Sequence, residues 1–256
     1  MGTGNDVGRE FSAFGDFADP RQRGQALDEG AEILAAVLRR GRTIERMFEC
    51  DQISLFDTAP GGAQIGDLAR SVRRTELGTG AWVDHAPSWV SGSDDVFARL
   101  LHTVDWQHER RPMYDRVVDV PRLMRFYGED EAMPDPLLAD VHAELDRHYR
   151  TELGEGFATV GMCCYRDGAD SVAWHGDTIG RGSTQDTMVA IVSFGQSRPL
   201  LLRSRAGGDS LRFELGHGDL LVMGGSCQRT WEHCVPKTTR RMGPRISVQY
   251  RPRGVR

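Results

Sequence analysis

Six short β-rich runs follow residue 156: "FATVGMCCY" (157–165), "DTMVAIVSFG" (186–195), "PLLLRSR" (199–205), "SLRFEL" (210–215), "DLLVMGG" (219–225) and "RISVQYR" (245–251). Gly, Asp and Ser punctuate them, which is the texture of an antiparallel sandwich or barrel. Ahead of them, "DDVFARLLHTV" (94–104) and "PLLADVHAELDRHYRTEL" (136–153) read as helices, the second with Leu137, Leu138, Val141 and Leu145 on one stripe. Helices first and many strands later predict an α+β domain.

The chain of 256 residues can bury a sizeable core. With 39% apolar and 27% charged residues it reads as a soluble protein. It contains no run of 18 apolar residues, so no membrane association is expected. The N-terminus lacks the basic and apolar regions of a signal peptide. Five cysteines without a CxxC pair suit reduced thiols in the cytoplasm. Residues 1–24 carry no periodicity, "QALDEGAEILAAVLRR" (25–40) predicts one short helix, and "QISLFD" (52–57) is an apolar island ahead of the linker-like "TAPGGAQIGD". The expected organisation is an N-terminal extension at 1–56, a linker at 57–78 and a domain at 79–256, in a monomer. No internal repeat is present.

The chemistry starts at "WHGDT" (174–178). In an extended strand, residues i and i+2 share a face, so His175 and Asp177 would converge. Later histidines are His217 and His233. The "LGHGDLL" around His217 reads as a tight turn, whereas His233 in "TWEHCVPK" stands shortly before the last strand. Two imidazoles and one carboxylate make the facial set for non-haem Fe(II), with open coordination positions. In "RISVQYR", Ile246, Val248 and Tyr250 fall on one face; Arg245, Ser247, Gln249 and Arg251 fall on the other. A buried pair of arginines without anions would cost several kcal/mol each. A dicarboxylate would offset that, because guanidinium pairs with carboxylate in bidentate fashion. Residues 171–256 carry 13 basic and 6 acidic side chains against a net charge of −5 for the whole chain. That third suits an anionic ligand or nucleic acid, or a chance asymmetry.

The ordered series HxD, "WEHCVPK" and RxSxxxR, with "YRDGADSVAWHGDT", "IVSFG", "FELGHGDLLVMGG" and upstream "VPRLMRFYG", resembles the AlkB group of Fe(II)/2-oxoglutarate dioxygenases over about residues 79–256. The resemblance implies a double-stranded β-helix (a jelly-roll, cupin-like core) flanked by N-terminal helices. It implies Fe(II) held by His175, Asp177 and His233. 2-Oxoglutarate would be held by Arg245 at its distal carboxylate, with Tyr165, Ser247 and Arg251 in support. The implied activity is oxidative demethylation of N-alkylated bases in DNA or RNA, most readily single-stranded, releasing succinate, CO₂ and formaldehyde. A flipped base needs a stacking partner. Tyr127 is the first choice, then Trp106 and Tyr114, with Arg122 a candidate for phosphate or for the Glu129–Glu131 run. Two positions depart from the family pattern: Cys163 and Ser247 stand where it has asparagines. Thr178 and Ile179 stand where many relatives carry acidic residues. The alternatives are a 2-oxoglutarate-dependent hydroxylase of a small metabolite, lipid or protein side chain, and a cupin-like binding protein. "QISLF" (52–56) also resembles the short peptide by which bacterial repair proteins dock on the sliding clamp; the competing expectation is an anchor folded onto the domain.

Overall fold

The computed structural model describes residues 62–113 and 116–255, which fall within a unit spanning Phe56–Arg256. The helix expected at 25–40, the rest of the 1–56 extension with its 52–56 segment, and Tyr114 lie outside the described residues.

Two antiparallel sheets face each other. The larger has eight strands: β2 (Arg73–Gly78), β3 (Ala81–Ala86), β5 (Gln107–Met113), β6 (Arg116–Tyr127), β7 (Phe157–Tyr165), β9 (Val189–Gly195), β12 (Leu220–Gly225) and β14 (Arg245–Pro252). Their order across the sheet is β2-β3-β12-β9-β14-β7-β6-β5. The smaller sheet runs β11 (Leu211–Leu215), β10 (Arg198–Ser204), β13 (Trp231–Val235), β8 (Val172–His175). A two-stranded ribbon pairs β1 (Gln64–Ile65) with β4 (Val90–Ser91). The helical pieces are α1 (Leu68–Ser71), α2 (Asp94–Thr103), α3 (Pro136–Leu153), a 3₁₀ turn at Arg181–Ser183, and α4 (Cys227–Thr230).

The larger sheet has a core on each face. Between the sheets, Val83, Ile191 and Met223 meet Leu200, Leu202, Leu215 and Val235. On the opposite face, α2 and α3 cover Val160, Met162, Phe194, Val248 and Tyr250. In α3, Asp135 caps the N-terminus by accepting from Leu137 N at 3.0 Å, and Pro136 fills the first turn, where its missing N–H costs nothing. Leu138, Val141, Leu145 and Tyr149 bury one stripe. Gly154, at φ 79°, ends the helix in the left-handed conformation.

The two predicted helices and six predicted strands are present, and the paired sheets have the jelly-roll character expected. The order of elements differs. Six strands come before α3 rather than after it, so the helices do not form an N-terminal flank among the described residues. The long β6 was hidden by its arginines and Pro121. β6 pairs with β7 only over Leu123–Tyr127, so Pro121 sits where no ladder bond to β7 is needed. Residues 64–78, placed in a linker by sequence, carry β1, α1 and β2. The run "RRTELG" is an exposed edge strand with no apolar alternation to announce it.

Candidate active site

His175 ends β8 and His233 sits inside β13, and the antiparallel register sets them directly opposite each other. Their ring centres are 4.2 Å apart. His175 Nδ1–H faces Ala173 O at 2.9 Å, which leaves Nε2 free to coordinate. Asp177 does not reach the pair by strand alternation, because β8 has already ended. It lies in the following turn, where its backbone N–H donates to Gln228 Oε1 at 2.9 Å. Gly176 allows that turn: a Cβ there would stand 2.4 Å from Gln228 O. One ligand atom from each of His175, Asp177 and His233 lies within 4.8 Å of the others, so the three could hold one metal ion.

Their charge states suit that task. Burial, followed by the neighbouring His175, pushes the His233 imidazole down to about 3, so it is a neutral donor. Burial alone would raise the Asp177 carboxyl, but the Arg251 guanidinium and both histidines hold it at about 2. Arg251 Nε donates to Asp177 Oδ2 at 3.1 Å. A carboxylate and two imidazoles are the facial donor set of non-haem Fe(II).

The β14 face leads inward from this triad. Arg251 Nη2 donates to Gln249 Oε1 at 2.7 Å, and Gln249 Nε2 reaches Ser247 Oγ at 3.1 Å and Cys163 Sγ at 3.5 Å. Gln249 thus supplies an amide beside the two positions, Cys163 and Ser247, that lack one. At the far end Arg245 is 2% exposed. Its Nη2 donates to Ser193 Oγ at 2.7 Å, but its Nε and Nη1 are buried without a partner. Burial lowers the pKa of this guanidinium, opposed by Tyr165 and Cys163. No carboxylate pairs with it among the described residues. An anion meeting Nε and Nη1 would offset the cost of burying them. Tyr165 lies beneath, 5.3 Å from the Arg245 guanidinium carbon, and burial pushes its hydroxyl up, so it remains a donor. Arg198, 5.8 Å from the same ring, donates from Nη1 and Nη2 to the carbonyls of Asp167, Asp170 and Pro236 and leaves only its Nε without a partner.

The residues expected to hold metal and co-substrate are therefore brought together; of the expected stacking residues, Tyr127 and Trp106 are not. Tyr127 is 6% exposed in the helix-side core, under Arg125 at 4.6 Å. Trp106 packs against that same core. Successive side chains of a strand point to opposite faces, so Tyr127 lies on the face away from Gln249 and Arg251. Phe126, its neighbour, lies on the other side of β6 at 39% exposure, opposite Gly161 and on the face of Gln249. Gly161 in turn adjoins Arg251: a Cβ there would be 2.8 Å from Arg251 Nη1. Arg122 donates to Ser171 O at 3.3 Å and interacts with Cys163 and Tyr165. The acidic run is taken by Arg125 with Glu131 and Arg253 with Glu129. His217 is a turn residue, with Nδ1 accepting from Gly195 N and Nε2 facing Ser93 Oγ. Gln228, Ser193 and Phe126 were not singled out by sequence; Gln249 was placed on the arginine face of its strand but given no role.

Comparison with known proteins agrees with this geometry. A family described as the 2OG-Fe(II) oxygenase superfamily matches residues 130–251. Alpha-ketoglutarate-dependent dioxygenase alkB homolog 3 of Bos taurus is 31% identical over 186 residues, covering 63% of this chain and 64% of that protein. The Homo sapiens protein of the same name is 29% identical, covering 64% and 65%. DNA oxidative demethylase ALKBH2 of Mus musculus is 25% identical, covering 76% and 90%. The chain spans just under two thirds of the length of the two alkB homolog 3 proteins. Over residues 130–251 it is similar to the 2OG-Fe(II) oxygenase superfamily, and its Bos taurus and Homo sapiens relatives are alkB homologs.

Proposed function

We propose that the protein is an Fe(II)- and 2-oxoglutarate-dependent dioxygenase that removes N-alkyl groups from bases of DNA or RNA. The observation that carries the reading is Arg245: a buried guanidinium with two unpartnered N–H groups, on the same strand face as Arg251, which grips the carboxylate of the His175–Asp177–His233 cluster. A dicarboxylate spanning the pocket would satisfy Arg245 at one end and meet the metal at the other.

Bound Fe(II) with 2-oxoglutarate supplies the oxidising power for hydroxylating an N-methyl group, with succinate, CO₂ and formaldehyde as products. The chain's own residues prepare the site. His175 presents Nε2 because Ala173 O fixes its Nδ1–H. His233 stays neutral through burial. Arg251 keeps Asp177 ionised and aimed. Arg245 and Tyr165 orient the co-substrate's distal carboxylate through charge-assisted donors. Phe126 offers an aromatic face at the pocket rim on which a flipped base can stack.

Nucleic acid as the substrate is supported by the likeness to a protein named DNA oxidative demethylase. It is further supported by Lys237, Arg240 and Arg241, all exposed on the segment joining β13 to β14, where they can track phosphates. Mass spectrometry on a panel of methylated DNA and RNA oligonucleotides, single- and double-stranded, tests the reading with Fe(II) and 2-oxoglutarate present. The expected result is loss of a methyl group from at least one single-stranded member. Succinate release that no oligonucleotide stimulates would point to a small-molecule or protein substrate.

A further inference from the structure

The two adjacent cysteines of β7 point to opposite faces. Cys164 joins the helix-side core, whereas Cys163 faces the pocket, opposite Ser247 on β14 and Met124 on β6. The Cys163 sulfur accepts from Gln249 Nε2 at 3.5 Å. Arg122 stands beside it: burial would lower that guanidinium's pKa, yet Cys163 and Tyr165 raise it. Arg245, two residues along β14 from Ser247, brings the unpartnered Nε and Nη1 described above and interacts with Cys163 as well. A nucleophilic sulfur thus stands among donors suited to a carboxylate.

We propose that Cys163 is a covalent modification site for α,β-unsaturated dicarboxylates of the fumarate class. The proposal rests on the reading that this pocket holds a dicarboxylate. Fumarate carries a carboxylate at each end of one C=C bond. With one end on Arg245, the alkene lies among the groups lining Cys163. The sulfur electron pair forms an S–C bond to one alkene carbon, and the π pair moves to the other carbon. That carbon takes up the proton lost by the thiol. The product is a succinyl thioether; no leaving group and no oxidant are needed. The adduct would fill the co-substrate pocket.

The test is peptide-mapped mass spectrometry of the full chain incubated with fumarate, beside thermal melting with and without 2-oxoglutarate. The expected result is one added fumarate on Cys163, absent from Cys163→Ser and suppressed by 2-oxoglutarate. Labelling should slow at least about tenfold in both Arg245→Gln and Arg245→Lys, from the lost bidentate pairing. Each reagent's rate is divided by its rate with a free thiol; on that scale the acid should label Cys163 faster than its dimethyl ester, which has no charge to guide it. If 2-oxoglutarate shifts the melting temperature but fumarate leaves Cys163 untouched, or the ester's normalised rate equals the acid's, the modification site is overturned and the pocket stands. If 2-oxoglutarate shifts nothing, the pocket reading falls and the proposal with it.

Discussion

Arg245 is the residue on which charge and geometry bear most heavily. Lysine keeps the charge but loses the planar fork, so Arg245→Lys should raise the KM for 2-oxoglutarate by an order of magnitude or more, for about 2 kcal/mol of lost pairing. An unchanged KM with lowered stability would make Arg245 a packing residue instead. His233 makes a second prediction. Its folded-state pKa of about 3 lies below the ordinary 6.5. Between those values the unfolded chain binds a proton that the folded chain does not. The metal-free protein should therefore lose stability as pH falls below 6.5, by up to about 1.4 kcal/mol per pH unit from this group. Urea melts at pH 7, 6 and 5 check the sign; a His233→Ala protein should show a shallower slope. At this scale the His175–Asp177–His233 cluster and the arginine face of β14 were legible, because HxD, a distant His and alternating arginines stand out from their neighbours. Gln249 and Gln228 were not, since their roles depend on strands and turns distant in sequence.

Individual elements show what alternation can and cannot fix. β14 read correctly because its two faces differ sharply: Ile246, Val248 and Tyr250 pack against the helix side, and Arg245, Ser247, Gln249 and Arg251 line the pocket. β6 misled because both Phe126 and Tyr127 are aromatic, so parity alone could not say which faces the pocket. Phe126→Ala should raise the KM for a methylated oligonucleotide, for about 1–3 kcal/mol of lost stacking, and leave the KM for 2-oxoglutarate unchanged. Tyr127→Phe should change neither. Equal effects of both substitutions would contradict the assignment of faces. The helix side is separable from the chemistry. Tyr250 donates its hydroxyl to Leu138 O at 3.0 Å, tying β14 to α3. Tyr250→Phe should cost about 1 kcal/mol of stability in denaturant melts, with the KM for 2-oxoglutarate unaffected.

Among the described residues, the larger sheet carries a helix-covered core on one face and, on the other, the inter-sheet core with the arginine face of β14. Its partner sheet contributes both histidines through one cross-strand pair, while the turn after β8 contributes Asp177. The strand-rich second half was legible because its runs are short, apolar and bounded by turn residues. The first half was not: β2 and β6 are dense in charge, and tertiary pairing rather than local pattern makes them strands. The central claim is that this pocket couples 2-oxoglutarate turnover to demethylation of a base. The most direct measurement is succinate formed against methyl groups lost, from one methylated single-stranded oligonucleotide with Fe(II). The account predicts equal amounts for the wild-type protein, neither product for His233→Ala, and most of the activity for His217→Ala. A fully active His233→Ala protein, or succinate with no methyl loss on any methylated oligonucleotide, would contradict it.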